Sequence, residues 1–452
     1  MTEAPIALFG GTPTVAREAH RAWPFFGARQ REAIARVLDR GVVSGASAPE
    51  CVGFEREFAA YAGAKHALLT HSGTSALHLA LAAAGIGEGD HVIVPAYSFV
   101  ATPLAVLHAG AIPIFADVDP RTGLIDPKAV EAAIGPRTKA IMPVHVHGCA
   151  ADLEPIFASA ARHRLLVIED AAQAHGARWR GRPVGARGAA GGFSLQSSKN
   201  LGAGEGGVFV TNDDAIAEAA HRIRNFGQDV ALQDREAFDA ARPLDGGRPL
   251  MSGRIGWMYR GNELGAAFAR ASLAQLPEWT ARCSANADRL SARLARLPGV
   301  LAPVIPEGST SVHHKYRVLF DAKAAGLDVA PTTLRAAMMR ALKAEGLEVV
   351  LWQVAPLPAQ PVFRTRAGFG AGFPWSTDHE TDFDAAYDLA RFPATAAMLD
   401  SSLILFSQSC PLIAQPDELV DRYADAFERV WARREELVRW ALRERIGQSG
   451  VE

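Results

Sequence analysis

Lys199 stands in the run FSLQSSKNLGAGEGG, twenty-nine positions after Asp170, which closes the apolar run LLVIED. A lysine amine can add reversibly to an aldehyde as a Schiff base, and a carboxylate can hold a ring nitrogen protonated. Those two capacities are the minimum protein equipment for pyridoxal phosphate (PLP) chemistry. Neither residue is informative alone. A lysine among Ser, Asn and Gly is ordinarily a solvated loop residue, and an aspartate ending a strand ordinarily caps the next helix. A Schiff-base lysine needs a lowered pKa and a mobile setting. The glycines after Lys199 supply the backbone freedom.

Other residues could complete such a site. HSGTSALHLAL puts Ser72, Gly73, Thr74 and Ser75 at a strand-to-helix turn, where backbone N–H groups and small hydroxyls suit a phosphate. Plain helix capping accounts for the same segment without a ligand. Ser194, just upstream of Lys199, could add a hydroxyl. Phe99 in VPAYSFVAT follows a strand and could lie on a pyridine ring. An aromatic there is more often core, and Tyr97 competes for the role. Gln173 could reach a ring hydroxyl from the turn after Asp170. His145 and His147 end MPVHVHG; without an acidic or cysteine ligand at suitable spacing they argue for packing or a single contact by His145 rather than a metal. Gly202, Gly204 and Gly207 match G-x-G-x-x-G. That dinucleotide fingerprint requires a strand before and a helix after, and here a polar loop precedes and a strand follows.

These candidates must be carried by a framework, and the pattern from Phe54 to about Phe226 supplies one. Short apolar runs (HALLT, HVIVP, IPIFA, KAIMPV, LLVIED, GVFVT) alternate with helical segments such as TSALHLALAAAG and LEPIFASAARHR. That alternation predicts an α/β fold with a mainly parallel sheet covered by helices on both faces. Ligands in such sheets bind beyond the strand carboxyl ends. Residues 1–50 read as an arm ending in a helix (GARQREAIARVLDRG), and 51–296 as the large domain. Within the latter, 227–250 reads as an inserted polar loop and 262–296 as one long amphipathic helix. Residues 297–452 read as a smaller C-terminal α+β domain, with HHKYRVLF a strand, PTTLRAAMMRALKAEG a helix and DELVDRYADAFERVWARREELVRWALRER a closing helix. The stretch 355–400, rich in Pro, Phe and Gly, is poorly determined by pattern.

Bulk properties narrow the function. The chain has 452 residues and a formal net charge of −2, which gives no reason to expect nucleic acid or an anionic membrane as partner. Cys51, Cys149, Cys283 and Cys410 are widely spaced and read as free thiols. No signal peptide or membrane span is evident, so the expected location is the cytoplasm.

Taken together, HSGTSALHLAL, GDHVIVPAYSFVAT, ADVDP, IMPVHVHG, VIEDAAQAHGA and FSLQSSKNLGAGEGGVFVTND resemble the DegT/DnrJ/EryC1/StrS family of sugar and aminocyclitol aminotransferases, PLP enzymes of fold type I. The opening IALFGGTPTV is similar to the branch of aminohydroxybenzoate synthases and inosose aminotransferases. The resemblance implies that Lys199 bonds the cofactor, Asp170 pairs with the pyridine nitrogen and Gln173 contacts the ring hydroxyl. Phe99 would stack on the ring, and Gly73, Thr74 and Ser194 would hold the phosphate. It further implies transfer of an amino group from glutamine or glutamate to a keto-sugar or keto-cyclitol, and a homodimer with shared sites. Met258 stands where many members carry an asparagine that reaches the neighbouring subunit, and Pro358 where a histidine is common. A lyase, dehydratase or condensing enzyme on a sugar-like substrate is the alternative within PLP chemistry. Family dehydratases tend to replace the lysine, so Lys199 favours aminotransfer. A non-catalytic binding protein on the same fold is a further alternative, and a nicotinamide oxidoreductase, resting only on the Gly202, Gly204 and Gly207 match, is the weakest.

Overall fold

A computed structural model describes residues 5–45, 47–234 and 251–447. Its main sheet comprises β1 (His66–Thr70), β2 (His91–Pro95), β3 (Ile112–Ala116), β4 (Thr138–Ile141) and β5 (Leu166–Asp170), then, after a ribbon of β6 (Arg178–Trp179) and β7 (Arg182–Pro183), β8 (Ala190–Ser194) and β9 (Gly207–Thr211). The spatial order is β1-β9-β8-β5-β4-β2-β3. From β8 through β5, β4 and β2 to β3 every neighbour is parallel, while β9 lies antiparallel between β1 and β8. Two reversals bring β1 back into line with β8. The carboxyl ends of β1, β2, β5 and β8 therefore share one edge.

Both faces of this sheet are buried, as its short apolar runs require. Val92 and Val94 pack with Leu77, Leu81 and Val106 on one side. Ile93, between them in sequence, packs with Val130, Leu153 and Ile156 on the other. The alternation of Cβ directions along β2 thus splits one apolar run between two cores.

A second sheet is antiparallel throughout, in the order β10 (Val300–Leu301), β11 (Tyr316–Phe320), β13 (Ser402–Leu405), β12 (Val349–Val350). Helices Pro331–Ala344 and Asp417–Ala432 cover it, with Leu334, Met338, Phe427 and Trp431 against Val318 and Phe320. The N-terminal arm docks on this part of the molecule through buried Ile6 and Val15. Its helix α1 (Ala28–Arg40) lies against helix Glu263–Leu273, with Ala33 and Val37 on Ala267, and the next helix, α2 (Pro49–Ala62), packs on that same helix.

Three expectations need correction or completion. The single long helix read over 262–296 is two, Glu263–Leu273 and Leu276–Leu294. Pro277 lacks an N–H and crowds the preceding turn, so the break falls just before it. The closing helix also divides, at Arg433, into Asp417–Ala432 and Arg434–Arg443. Of the polar stretch 227–250, only 227–234 falls among the described residues; 235–250 lies outside them.

The stretch 355–400 forms short helices, Pro361–Thr365, Phe383–Ala386 and Pro393–Ser401. Phe363 and Tyr387 set their rings 5.1 Å and 5.3 Å from that of Phe115 on the edge strand β3. The Tyr387 hydroxyl donates to the Pro113 carbonyl at 2.7 Å. An edge strand presents unpaired backbone groups, and this segment covers them.

Candidate active site

The seven residues to which the resemblance assigns cofactor contacts line one cavity of about 330 Å³ at the shared strand edge: Gly73, Thr74, Phe99, Asp170, Gln173, Ser194 and Lys199. The elements explain the convergence. Helix α3 (Gly73–Ala83) begins just past β1, Phe99 follows β2, Asp170 ends β5 and Ser194 ends β8. Lys199 sits in the connection from β8 to β9, which Lys199 N–H→Gln196 O and Ser197 N–H→Gly204 O, both 2.8 Å, hold in a compact loop.

Burial sets the charge of the two central groups. Asp170 is buried, and loss of water raises its pKa, opposed by hydrogen bonds from the Thr102 hydroxyl and the Ala172 N–H and by the Lys199 charge. Those partners do not offset the burial, and a protonated pyridine nitrogen against the carboxylate would supply the balancing charge. Lys199 is partly exposed to the cavity, yet desolvation lowers its amine to about 8, with Asp170 pulling the other way. Such an amine keeps a neutral, nucleophilic fraction near neutral pH that an ordinary lysine lacks.

Helix α3 offers hydrogen-bond donors suited to an anion. Ser72 caps it, its Oγ accepting the Ser75 N–H at 3.1 Å while Ser75 Oγ accepts the Ser72 N–H. Capping therefore does operate here, through Ser72 and Ser75. It leaves the N–H groups of Gly73 and Thr74 without a protein acceptor among the described residues. A Cβ on Gly73 would stand 2.7 Å from that of Ser194, so only glycine lets the helix terminus close on β8. Gly207 plays a similar part, since a Cβ there would meet the Ser72 carbonyl at 2.1 Å. Of the glycines that mimic a dinucleotide motif, Gly207 serves this close packing, Gly202 abuts the Ser197 carbonyl, and Gly204 takes a positive φ of 85° in open space.

The remaining candidates separate cleanly. Phe99 is 52% exposed on the cavity, whereas Tyr97 is 2% exposed and shares a 2.7 Å hydrogen bond with His147 Nε2 behind it. Gln173 accepts the His147 N–H at 2.8 Å through Oε1, which fixes the amide and leaves Nε2 to donate elsewhere. His145 does not line the cavity. Its Nε2 faces Glu169 Oε2 at 3.1 Å, and its Nδ1 accepts the Ala151 N–H at 3.0 Å. Burial would raise Glu169, but His145 and the N–H groups of Gly185 and Gly188 outweigh it and hold the carboxyl below its ordinary range.

Sequence reasoning missed His314, Lys315, Trp352, Glu205 and Gln408, which also line the cavity. Burial, then the Lys199 charge, lowers Lys315 to about 8, and its Nζ lies 5.9 Å from the centre of the Trp352 ring. HHK reads as the start of a strand, but β11 begins only at Tyr316 and the preceding residues turn toward the cavity. Asn200 pins that turn beside Lys199, donating to the Val312 carbonyl at 2.9 Å and meeting His314 Nδ1 at 3.2 Å. Two adjacent basic residues ahead of an apolar run were the available signal. Met258 is exposed and bridges to Asn225, and Pro358 is buried in the turn Leu357–Ala359. Neither lines the cavity.

The residues present fit PLP: a buried acceptor short of a cation, free donors at a helix terminus against a serine, and an amine of lowered basicity. A mainly parallel sheet covered on both faces, with this set at its carboxyl edge, defines a fold type I PLP-dependent aminotransferase. The DegT/DnrJ/EryC1/StrS aminotransferase family profile matches residues 26–382, and the chain belongs to that family. It is 36% identical over 447 residues to L-glutamine:scyllo-inosose aminotransferase of Streptomyces griseus, covering 95% of this chain and 98% of that protein. It is 38% identical over 336 residues to dTDP-3-amino-3,4,6-trideoxy-alpha-D-glucose transaminase of Streptomyces venezuelae, covering 74% and 80%. The crystal structure of 3-amino-5-hydroxybenzoic acid synthase superposes with a TM-score of 0.76 at 30% identity, covering 91% of this chain and 98% of that one. Among the described residues no helix is long and apolar enough to cross a membrane.

Proposed function

We propose that this aminotransferase moves an amino group from glutamine or glutamate to a keto-sugar or keto-cyclitol in aminosugar or aminocyclitol biosynthesis. The observation that carries the reading is the meeting of Lys199, Asp170 and the α3 terminus in one cavity. The near full-length likeness to an inosose aminotransferase supports the substrate class. PLP supplies the electron sink that makes a Cα–H of the amino donor acidic.

The chain's own residues do the rest. Lys199 bonds the cofactor, and its released Nζ, with a proton affinity near neutrality, takes and returns the migrating proton. Asp170 keeps a proton on the ring nitrogen. Gln173 Nε2 would donate to the ring hydroxyl, Phe99 would face the ring, and Gly73, Thr74 and Ser194 would hold the phosphate.

The enzyme works as a homodimer with shared sites. Phe226, Met251, Ile255 and Met258 are exposed on two loops joined by the Asn225–Met258 and Gln228–Ser252 bridges, an apolar surface suited to self-association. The four free cysteines suit a reducing compartment such as the cytoplasm.

The test is a panel of keto-sugars and keto-cyclitols with each donor, scored by mass spectrometry for the gained nitrogen. Release of a 2-oxo acid without amination of any acceptor in the panel counts against the substrate class.

A further inference from the structure

Behind the reaction cavity lies a second, much smaller one of about 20 Å³, between the Arg121–Thr122 turn and the chain entering β11. Its lining includes three basic side chains, Arg121, Lys315 and Arg317, together with His147, and no carboxylate. Arg317 is 4% exposed. Its Nη2 donates to the Arg121 carbonyl at 3.2 Å, and its guanidinium carbon lies 6.0 Å from the centre of the Tyr97 ring. Its Nε and Nη1 have no partner among the described residues, nor do Arg121 Nη1 and His147 Nδ1. The nearby Asp119 acts on Arg317 through its charge but makes no hydrogen bond to these donors. Its Oδ1 already accepts the N–H groups of Arg121 and Thr122, each at 2.8 Å, and the Thr122 hydroxyl at 3.1 Å.

Buried polar groups without partners are costly, and buried cations without counter-charges more so. The guanidinium positions on this wall can only donate. His147 joins them when Tyr97 donates to its Nε2, because the neutral ring then carries its proton on Nδ1. A water molecule fits the volume, but it must place two protons of its own among these donors. A guest that only accepts, and carries negative charge, matches them better.

We propose that this cavity is a binding site for one small inorganic anion of halide size, held by Arg317 and Arg121. The site stands apart from the reaction: it needs neither cofactor nor amino-group substrate. Occupancy stabilises the fold, because an ion that binds only the native state raises its melting temperature.

The experiment uses the cofactor-loaded enzyme. Crystals soaked in sodium bromide are examined by anomalous diffraction, and melting is followed in sodium chloride against sodium gluconate at equal ionic strength. The expected result is a bromide peak in the cavity and a melting temperature higher in chloride by on the order of 2 °C. Arg121→Gln, at the partly exposed side of the site, should keep the fold and activity and lose the chloride response. Arg317→Gln should do the same if it folds. A cavity filled by water alone, or by a side chain of a second subunit, overturns the proposal. So does a chloride response that persists undiminished in Arg121→Gln.

Discussion

Thr102 donates its hydroxyl proton to Asp170: Oγ1 lies 2.7 Å from Oδ2, with both residues buried. Ser98 sits 2.8 Å from the same Oγ1, and the Ala172 N–H reaches the other carboxylate oxygen at 3.1 Å. The carboxylate is thus aimed by its neighbours but not neutralised by them.

That arrangement makes Asp170 a liability in the cofactor-free protein. Its pKa is raised on folding, so its contribution to stability is present at low pH and lost as pH rises through the folded value. Cofactor-free Asp170→Asn should therefore melt above cofactor-free wild type at pH 7–8, with the gap closing toward about pH 4. Turnover of the loaded variant should fall by on the order of 10²-fold or more. Wild-type turnover would remove Asp170 from the reaction.

The Lys199 amine, brought down to about 8, should label early. In cofactor-free protein, acylation of Lys199 should follow a titration near that pH, while surface lysines respond near 10.4. Lys315→Met removes a neighbouring positive charge and should move the Lys199 titration upward. Peptide-resolved labelling across pH 6–11 reads both, and an unmoved Lys199 in the variant would show that the two amines do not interact.

Glu169 supports the site from behind. Its carboxylate accepts the N–H groups of Gly185, Arg187 and Gly188 at 2.7, 2.5 and 2.7 Å, as well as the His145 contact. Its pKa is depressed, so its stabilisation is present above the unfolded value of about 4.3 and is lost as pH falls through the folded one. Glu169→Gln should cost on the order of 2 kcal/mol at pH 7. The deficit should shrink below about pH 4 in denaturant titrations; a pH-independent deficit would point to packing instead.

Ile255, 83% exposed beside Met258, tests the assembly. Ile255→Asp should shift the protein toward monomer in light-scattering chromatography, with little effect on the folded subunit. A monomeric wild type would sink the shared-site arrangement outright.

Much of this was legible in the chain. Runs such as HVIVP report a strand buried on both faces, and the small-residue turn after HALLT reports a helix terminus, because both depend on local pattern. The turn at His314 and Lys315 was not, since contacts distant in sequence hold it out of the strand: those of Asn200 and the backbone bonds of Val312 and Lys315 to Gly148 and His147. Tyr97 and Phe99 also looked equivalent until the His147 contact committed one of them to the interior. The segment 355–400 was opaque for the same reason: its shape is set by Phe115 and Pro113, which lie far away in sequence.

The proposed bond between Lys199 and PLP is tested by borohydride reduction of the loaded enzyme followed by peptide mapping. The pyridoxyl label should fall on the peptide containing Lys199, and Lys199→Ala should take up no label and lose turnover by on the order of 10³-fold. A label on Lys315 or elsewhere, or none on cofactor-saturated protein, would remove Lys199 from that role.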